Sequence, residues 1–598
     1  MPVSFTCRLA AASTTLERVQ LTPGRAGLLV FTIAIAIFAN ASLSGWVTLD
    51  DPLYVLNNRR ILDSEFAALL RLWSFEDAHM GAFIEYFPLR DSVYWTIHRI
   101  FGVQPLPYHI VNILLHGLCS VLVVAIGRRL GFSLPIACVA AIIFAVHPVH
   151  CESVVWISGL KDPMFTALLL ASVLAYEPDS SGKRSYVLSF VLLVLSLLCK
   201  SIGVMLPALL LALEWRRNAL TWASLRAVAP FGVIALLFLL NFVAIGNQNN
   251  VIVSHKGLTI SADIMTSLWC FVTYVSLQVF PINLNLLNLT YSIRDTGDLR
   301  GAAAVITCFS MAIGVMVLLL KHRQLAVLAI WFVLFLLPVM KIVPIPVLVA
   351  ERYLYLPSVA FSLAAAAALA QLVTRYRAVG KIAALLVIFG LAARTVQRNE
   401  DWRGGDVALW QGVVSQPAAA MFDVPWVALG NALLVKQRFP EAEQALLRAI
   451  AIQGDLGASQ GPVASRRAEV HYDLGRLYLA SGRVDLALHH LKLVVGFRPS
   501  FAQAWNLLSS LEAESGHAAR AEQAANMALT LDASLAGARI TRGLVRLELG
   551  RVDEGVADLV RVVGDNPAMC QTLSQWQADV GEIPVAARVR TELAPHCP

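Results

Sequence analysis

The chain has 598 residues, of which 57% are hydrophobic and only 15% charged, and its mean hydropathy is +0.66. That balance excludes a soluble globular enzyme and makes lipid part of the solvent. The net charge of +7 does not point to nucleic acid, because Lys and Arg stand mainly beside the ends of apolar segments, where membrane orientation accounts for them. The nine cysteines are mostly scattered singly in apolar segments without a CxxC pair, and are expected to be small core residues and not a metal or disulfide framework.

In chain order, residues 1–25 carry Arg8, Arg18 and Arg25 and resemble a cytoplasmic leader to an uncleaved anchor. Apolar windows of spanning length follow near 26–45, 109–127, 133–147, 153–176, 227–245, 300–320, 324–340, 355–374 and 381–397. The stretch 186–213 is basic at both ends (Lys183, Arg184; Arg216, Arg217), and the positive-inside bias draws both ends to the cytoplasm. It is therefore expected to divide at Cys199-Lys200-Ser201 into a hairpin of two short helices. The same bias requires 263–281 to re-enter the membrane or lie at its interface, so that Lys321 and Arg323 fall inside. The expected architecture is all-α, a polytopic helix bundle over 26–398 with about eleven spans. Its N-terminus lies inside, and everything after about residue 398 lies outside, together with Asp50 and Asp51.

From residue 399 to 598 the composition becomes polar and rich in alanine and leucine, with helical periodicity. Gly482, Gly516 and Gly550 recur at intervals of 34, the tetratricopeptide spacing. Gly475, Tyr478, Ala487 and Pro499 occupy the positions where that repeat needs a close helix contact, a bulky knob, a second small contact and a stop. Trp426, Leu429 and Gly430 open an earlier copy, followed by an insertion at about 454–466. Four or five helical pairs are expected to stack into an α-solenoid whose concave face takes a peptide or another protein, or serves as a docking platform. Asn288-Leu289-Thr290 fits an N-glycosylation sequon.

This topology gathers ionisable residues at outer helix ends: Asp50 and Asp51, Arg90 and Asp91, His109 and His116, the group His147 to Asp162, Lys200, and Glu351-Arg352. Charges in or near lipid are costly and are usually retained for a task. A carboxylate in a partly dehydrated mouth has its pKa pushed up and takes a proton from a hydroxyl, while a second one holds the acceptor or a divalent ion. The same Asp50-Asp51-Pro52 is also a turn signal that simply stops the first helix. In "FAVHPVHCESVVWISGLKDP", His147, His150, Glu152, Lys161 and Asp162 concentrate polarity within an apolar hairpin. Zinc is disfavoured, since two histidines three apart across a proline lack the i, i+4 spacing that aims both at one ion. Hydrogen bonds to a sugar or diphosphate-like headgroup, or a salt bridge capping the helices, fit better. Lys200 and the Arg352 of "VAERYLYLPS" are expected phosphate partners, one a point charge and one a bidentate fork. Arg352 could instead pair with Glu351 or snorkel to headgroups. The face at 263–281 offers a surface for an acyl or isoprenoid tail, although such a face more often builds protein core.

"LDDPLYVLNN", "YFPLRDSVYW", "PYHIVNILLHGL", "AVHPVHCESVVWISGLKDP", "LLCKSIGVMLPALLLALEW" and "AERYLYLPS", in this order and followed by tetratricopeptide repeats, resemble the transmembrane-and-tetratricopeptide O-mannosyltransferases and their prokaryotic relatives in the glycosyltransferase-C superfamily. The resemblance implies a GT-C-type bundle that uses a polyprenyl-phosphate-linked sugar, such as mannose, on the non-cytoplasmic face, periplasmic or lumenal. It makes Asp50 and Asp51 the catalytic motif and sets Lys200 and Arg352 at positions suited to the donor phosphate. Relatives typically have an aromatic residue where this chain has Leu49, and Tyr-Arg-Pro where it has Tyr86-Phe87-Pro88; Arg90 is expected to replace the missing arginine. Glu351 and Tyr353 join His147, His150, Glu152, Lys161 and Asp162 as expected substrate contacts. The implied partners are membrane lipid, the lipid-linked donor and an acceptor protein held by the repeats, with no nucleic acid and no support for a divalent metal. The competing expectation is a non-enzymatic, membrane-anchored repeat scaffold, which scattered rather than converging charges favour.

Overall fold

The computed structural model describes residues 22–63, 65–74, 86–177, 183–217, 220–248, 259–289, 293, 297–340, 347–455, 462–565, 570 and 584–594. Most of the leader, Thr290 of the sequon and part of the 454–466 insertion lie outside these. All regular structure among the described residues is helical, and the chain forms two compact units, 1–416 and 417–598.

The first unit contains, in order, α1 (Pro23–Phe38), α2 (Pro88–Phe101), α3 (Pro105–Arg129), α4 (Leu134–Ala145), α5 (Cys151–Val155), α6 (Lys161–Ala175), α7 (Lys183–Leu197), α8 (Leu206–Arg216), α9 (Trp222–Gln248), α10 (Ile260–Val279), α11 (Leu299–Lys321), α12 (Arg323–Leu336), α13 (Pro357–Arg375), α14 (Arg377–Arg403) and α15 (Gly405–Val414). Short helical turns between 52 and 71 link α1 to α2. Local chemistry sets the ends. Proline stands in the first turn of α2, α3, α4, α8 and α13, where its missing N–H costs nothing. Thr259 and Asp298 cap α10 and α11 by accepting from Ala262 and Arg300 N–H. Arg128 and Arg129, Arg216, Lys321 and Arg375 sit in the last turns of α3, α8, α11 and α13, where cations meet the negative helix ends.

Eight helices of the described residues are long and apolar enough to cross a membrane. A ninth results if α4 and the segment Pro148–Val155, bent by 52° at the His147-Pro148 break, count as one. The difference from eleven is physical. α7 and α8 form the expected pair of short helices on either side of Lys200, and α12 also falls short of a full crossing by length. Conversely, α10 is 20 residues long and qualifies as a span by length and composition, which charge bias alone did not allow. α11 is barely covered by protein, with Ile306 and Phe309 about two-thirds exposed, as expected of a lipid-facing helix.

The change to polar composition at 399 falls inside α14, which runs unbroken to Arg403, and the first unit continues through α15 to Gln416. The second unit pairs α16 (Val424–Val435) with α17 (Phe439–Asp455), α18 (Pro462–Ala480) with α19 (Val484–Phe497), α20 (Ala502–Glu514) with α21 (Ala518–Leu531), and α22 (Ala536–Glu548) with α23 (Val552–Asp565), followed by α24 (Pro584–Leu593). Gly482, Gly516 and Gly550 take φ of +75°, +75° and +80°, and Gln437 (φ +58°) fills the matching turn of the first pair. Within pairs, a β-carbon on Gly430, Gly475 or Gly543 would come within 3.0 Å of Leu446, Leu491 or Leu559, so each small residue seats a leucine. The third pair solves the same packing differently, with Ser509 and, sixteen residues on, Ala525, both fully buried.

Candidate active site

The site grows from the turn after α1. Asp51 is fully buried: its Oδ2 accepts from Val47 N–H (2.9 Å), and its Oδ1 accepts from Ser158 N–H (3.0 Å) and Ser158 Oγ–H (2.5 Å). Burial pushes its carboxyl up to about 6 in spite of these bonds, which favour the charged form. Asp50 is half-buried, and its carbonyl accepts from Tyr54 N–H, opening the helical turn Pro52–Leu56. The adjacent carboxylates therefore differ, Asp51 being built into the protein and Asp50 keeping contact with solvent.

Ser158 belongs to the turn Ile157–Leu160 between α5 and α6. Tyr94 Oη and Asn112 Nδ2 hold this turn from α2 and α3 by donating to Ile157 O and Trp156 O, each at 2.9 Å. At Gly159 a β-carbon would lie 2.7 Å from Ser153 O and 2.8 Å from Glu152 O, so only glycine lets the turn fold this tightly onto α5.

The same segment carries the remaining contacts. Lys161 Nζ lies 5.4 Å from the centre of the Tyr54 ring, over which Arg90 Cζ also stands at 4.3 Å. Arg90 is buried and donates from Nε to Asp91 Oδ1 at 2.7 Å. Asp162, buried, forms an ion pair with Lys200 and accepts from Ser153 Oγ–H at 3.1 Å. Burial draws the Lys200 ammonium down, and Asp162 opposes this. Glu152, also buried, pairs with the Arg352 guanidinium and accepts Arg352 N–H at 2.8 Å. Lys200 and Arg352 flank the Tyr353 ring at 5.5 and 5.1 Å.

Glu351 does not join Arg352. It pairs instead with Arg398 of α14 at 3.3 Å, and Arg398 also holds Asp401. Burial pushes the Glu351 carboxyl up, against the pull of Arg398. His147 and His150 lie in the interior. The His147 Nε2 is 3.0 Å from Gln278 O, and the His150 Nδ1 is 2.9 Å from Phe144 O, with the His150 ring against Phe144 and Tyr355. These contacts seat the two imidazoles against main-chain carbonyls and rings of the interior, and among the described residues neither forms a hydrogen bond or ion pair with Asp51, Asp162, Lys200 or Arg352. Among the described residues no three His, Cys, Asp or Glu side chains are grouped to hold a metal ion. Sequence reasoning missed Ser158 and Tyr54, which have common residue types and whose roles depend on partners distant in the chain.

A cavity of about 860 Å³ opens among α10 to α13, lined by Phe271, Val275, Phe332 and Phe361 with Gln278 at its wall. Gln278 Oε1 accepts from Ser358 Oγ–H at 2.9 Å, close to the start of α13. The cavity wall is otherwise almost wholly apolar.

Fold and site together define a multi-pass α-helical membrane protein with a buried, ion-paired polar cluster, joined to a tetratricopeptide-type helical repeat unit. No family model matches the chain. It is 24% identical over 396 residues to Protein O-mannosyl-transferase F38B6.6 of Caenorhabditis elegans, covering 63% of this chain and 56% of that protein. It is 22% identical over 583 residues to Protein O-mannosyl-transferase TMTC3 of Mus musculus, covering 88% and 62%. Over 212 residues it is 32% identical to TMTC4 of Homo sapiens, covering 31% and 28%. The chain is thus similar to proteins named as protein O-mannosyl-transferases, and it spans less than two thirds of the length of these relatives. Among solved structures, ArnT from Cupriavidus metallidurans bound to undecaprenyl phosphate matches with a TM-score of 0.39 at 15% identity, over 75% of this chain and 80% of that one. The tetratricopeptide protein YrrB matches at 0.23 and 17% identity, over 30% and 84%.

Proposed function

We propose that the chain is a membrane glycosyltransferase that moves a sugar, mannose in the first instance, from a polyprenyl-phosphate donor to a Ser or Thr hydroxyl of a polypeptide. One observation carries this reading: residues 152–162 reach Asp51, Lys200 and Arg352, which come from three separate parts of the chain. Ser158 bonds Asp51, Lys161 faces Tyr54, Asp162 pairs with Lys200, and Glu152 pairs with Arg352. Converging charges favour an enzyme over a scaffold, which needs no such costly assembly.

In the proposed reaction the acceptor oxygen attacks the anomeric carbon from the face opposite the phosphate. The carbon–oxygen bond to phosphate breaks, the hydroxyl proton passes to Asp50, and polyprenyl phosphate leaves with inversion. Asp50 is assigned as base because it keeps contact with solvent, and Asp51 as the anchor of its loop. Lys200 and Arg352 meet the departing phosphate, with Arg90 and Lys161 beside them at Tyr54. The apolar cavity takes the isoprenoid tail. The site faces the periplasm or a secretory lumen, and the repeat unit binds the acceptor polypeptide.

The test incubates purified protein with a panel of polyprenyl-phosphate sugars and acceptor peptides and reads the product by mass spectrometry. Asp50→Asn is expected to cut kcat by at least about a hundredfold with unaltered thermal unfolding. Undiminished transfer by that variant removes Asp50 as base, and no transfer from any donor removes the reading.

A further inference from the structure

The loop that carries Asp50 is anchored at its ends by Trp46, packed on Tyr108, and by the buried Val47 and Asp51, but between them Thr48 is exposed and Leu49 and Asp50 are only half-buried. Hydrogen bonds therefore hold the middle of the loop. Four come from near neighbours in the fold: Trp46 Nε1–H donates to Val103 O at 3.1 Å, and Asp51 accepts from Val47 N–H and from Ser158 N–H and Oγ–H. Another comes from the far end of the first unit, where Asp406 Oδ1 accepts Thr48 N–H at 3.0 Å.

Asp406 stands in the first turn of α15, where a carboxylate ordinarily serves the unpaired amides of its own helix. Here it reaches across to a residue 358 positions away. The other end of α15 is tied as well. Gln416 Oε1 accepts Leu289 N–H at 2.9 Å, and Gln416 Nε2 donates to Leu287 O at 2.7 Å. Asn285 of that second loop lies close enough to Glu351 for its backbone to favour the charged carboxyl. α15 thus ties the loop bearing the acid pair to the loop beside Glu351.

We propose that α15 is a strap over the transfer site and that Asp406 is a positioning residue, holding Thr48 and with it the backbone that presents Asp50. The proposal rests on the transferase reading above. A carboxylate displaced by even part of an ångström loses its line to the acceptor proton, so the bond matters to kcat more than to substrate binding.

The test compares full-length wild type, Asp406→Ala and Asp406→Asn, the last keeping an oxygen acceptor. Two quantities are measured in detergent or nanodiscs: amide exchange at Thr48 by mass spectrometry, and kcat and donor KM for sugar transfer. Asp406→Ala is expected to speed Thr48 exchange and lower kcat about tenfold with donor KM within about twofold. Asp406→Asn is expected to restore both. Native Thr48 exchange in the alanine variant, or unchanged kcat with the bond broken, overturns the proposal. If the wild type transfers no sugar from any donor while Thr48 exchange still responds to Asp406, the transferase reading has failed and the strap geometry stands apart from it.

Discussion

In the spanning unit, the side chains of Glu152 and Asp162 are 0% and 2% exposed, and their partners Arg352 and Lys200 are 13% and 12% exposed. In the repeat unit, the arginines of the pairs Arg551–Glu522, Arg438–Glu441 and Arg588–Asp553 are 39%, 44% and 51% exposed. These exposed pairs are screened and contribute little, whereas Arg542 and Arg546, 20% and 17% exposed, share the buried Asp558, so the repeat unit combines one sheltered ion cluster with apolar complementarity, glycine against leucine in three helical pairs and serine against alanine in the third pair along the chain. Buried pairs carry a desolvation cost that apolar residues of similar size would avoid. In the spanning unit such pairs gather on residues 152–162, whereas the three repeat-unit pairs named above keep their arginines near solvent.

The sharpest way to break this contrast is to remove one member of a buried pair. Arg352→Ala leaves Glu152 buried with a lost partner, and unfolding in detergent should show a loss of about 3–5 kcal/mol. A stability close to wild type would mean that water reaches the pair. Next comes pH. The Asp51 carboxyl titrates at about 6 in the folded protein against the ordinary 3.8, so the folded state holds its proton more tightly than the unfolded state does. Stability from this group is therefore present below the ordinary value and is lost as pH rises between about 4 and 6, by about 3 kcal/mol. Asp51→Asn should flatten that part of the stability–pH curve, and an unchanged slope would assign it to another group.

Smaller effects test the repeat unit. Gly475→Ser places a side chain against Leu491 and should cost about 1–3 kcal/mol. Adding Leu491→Ala, which copies the Ser509 and Ala525 solution, should cost less than the two changes summed. Additive losses in that double-mutant cycle would reject the complementarity argument. At the foot of the scale, Arg551→Ala should leave the unfolding midpoint close to that of the wild type, in contrast with Arg352→Ala.

Periodicity and charge made the bundle, the paired short helices around Lys200 and the repeat spacing legible in the sequence. At α10 two sequence signals diverge: length and composition qualify it as a candidate span, whereas the positive-inside bias sets it at the interface. At the site, the charged residue types stood out from apolar surroundings, but their partners did not. Lys200 meets Asp162 across 38 residues and Arg352 meets Glu152 across 200, separations that no local pattern encodes. The polarity of His147 and His150 suggested ligand contacts, whereas burial against carbonyls and rings explains them as core. Asp406 left no signal at all, being one acid on a short helix after the composition has already changed.

The compact turn at Gly159 gives residues 152–162 the character of a keystone. Deleting one residue ahead of Lys161 would rotate the start of α6 by about 100° and swing Asp162 away from Lys200. A chimera with a homologue should therefore exchange this stretch as a single block, and a length change inside it should be tolerated far less than a point substitution.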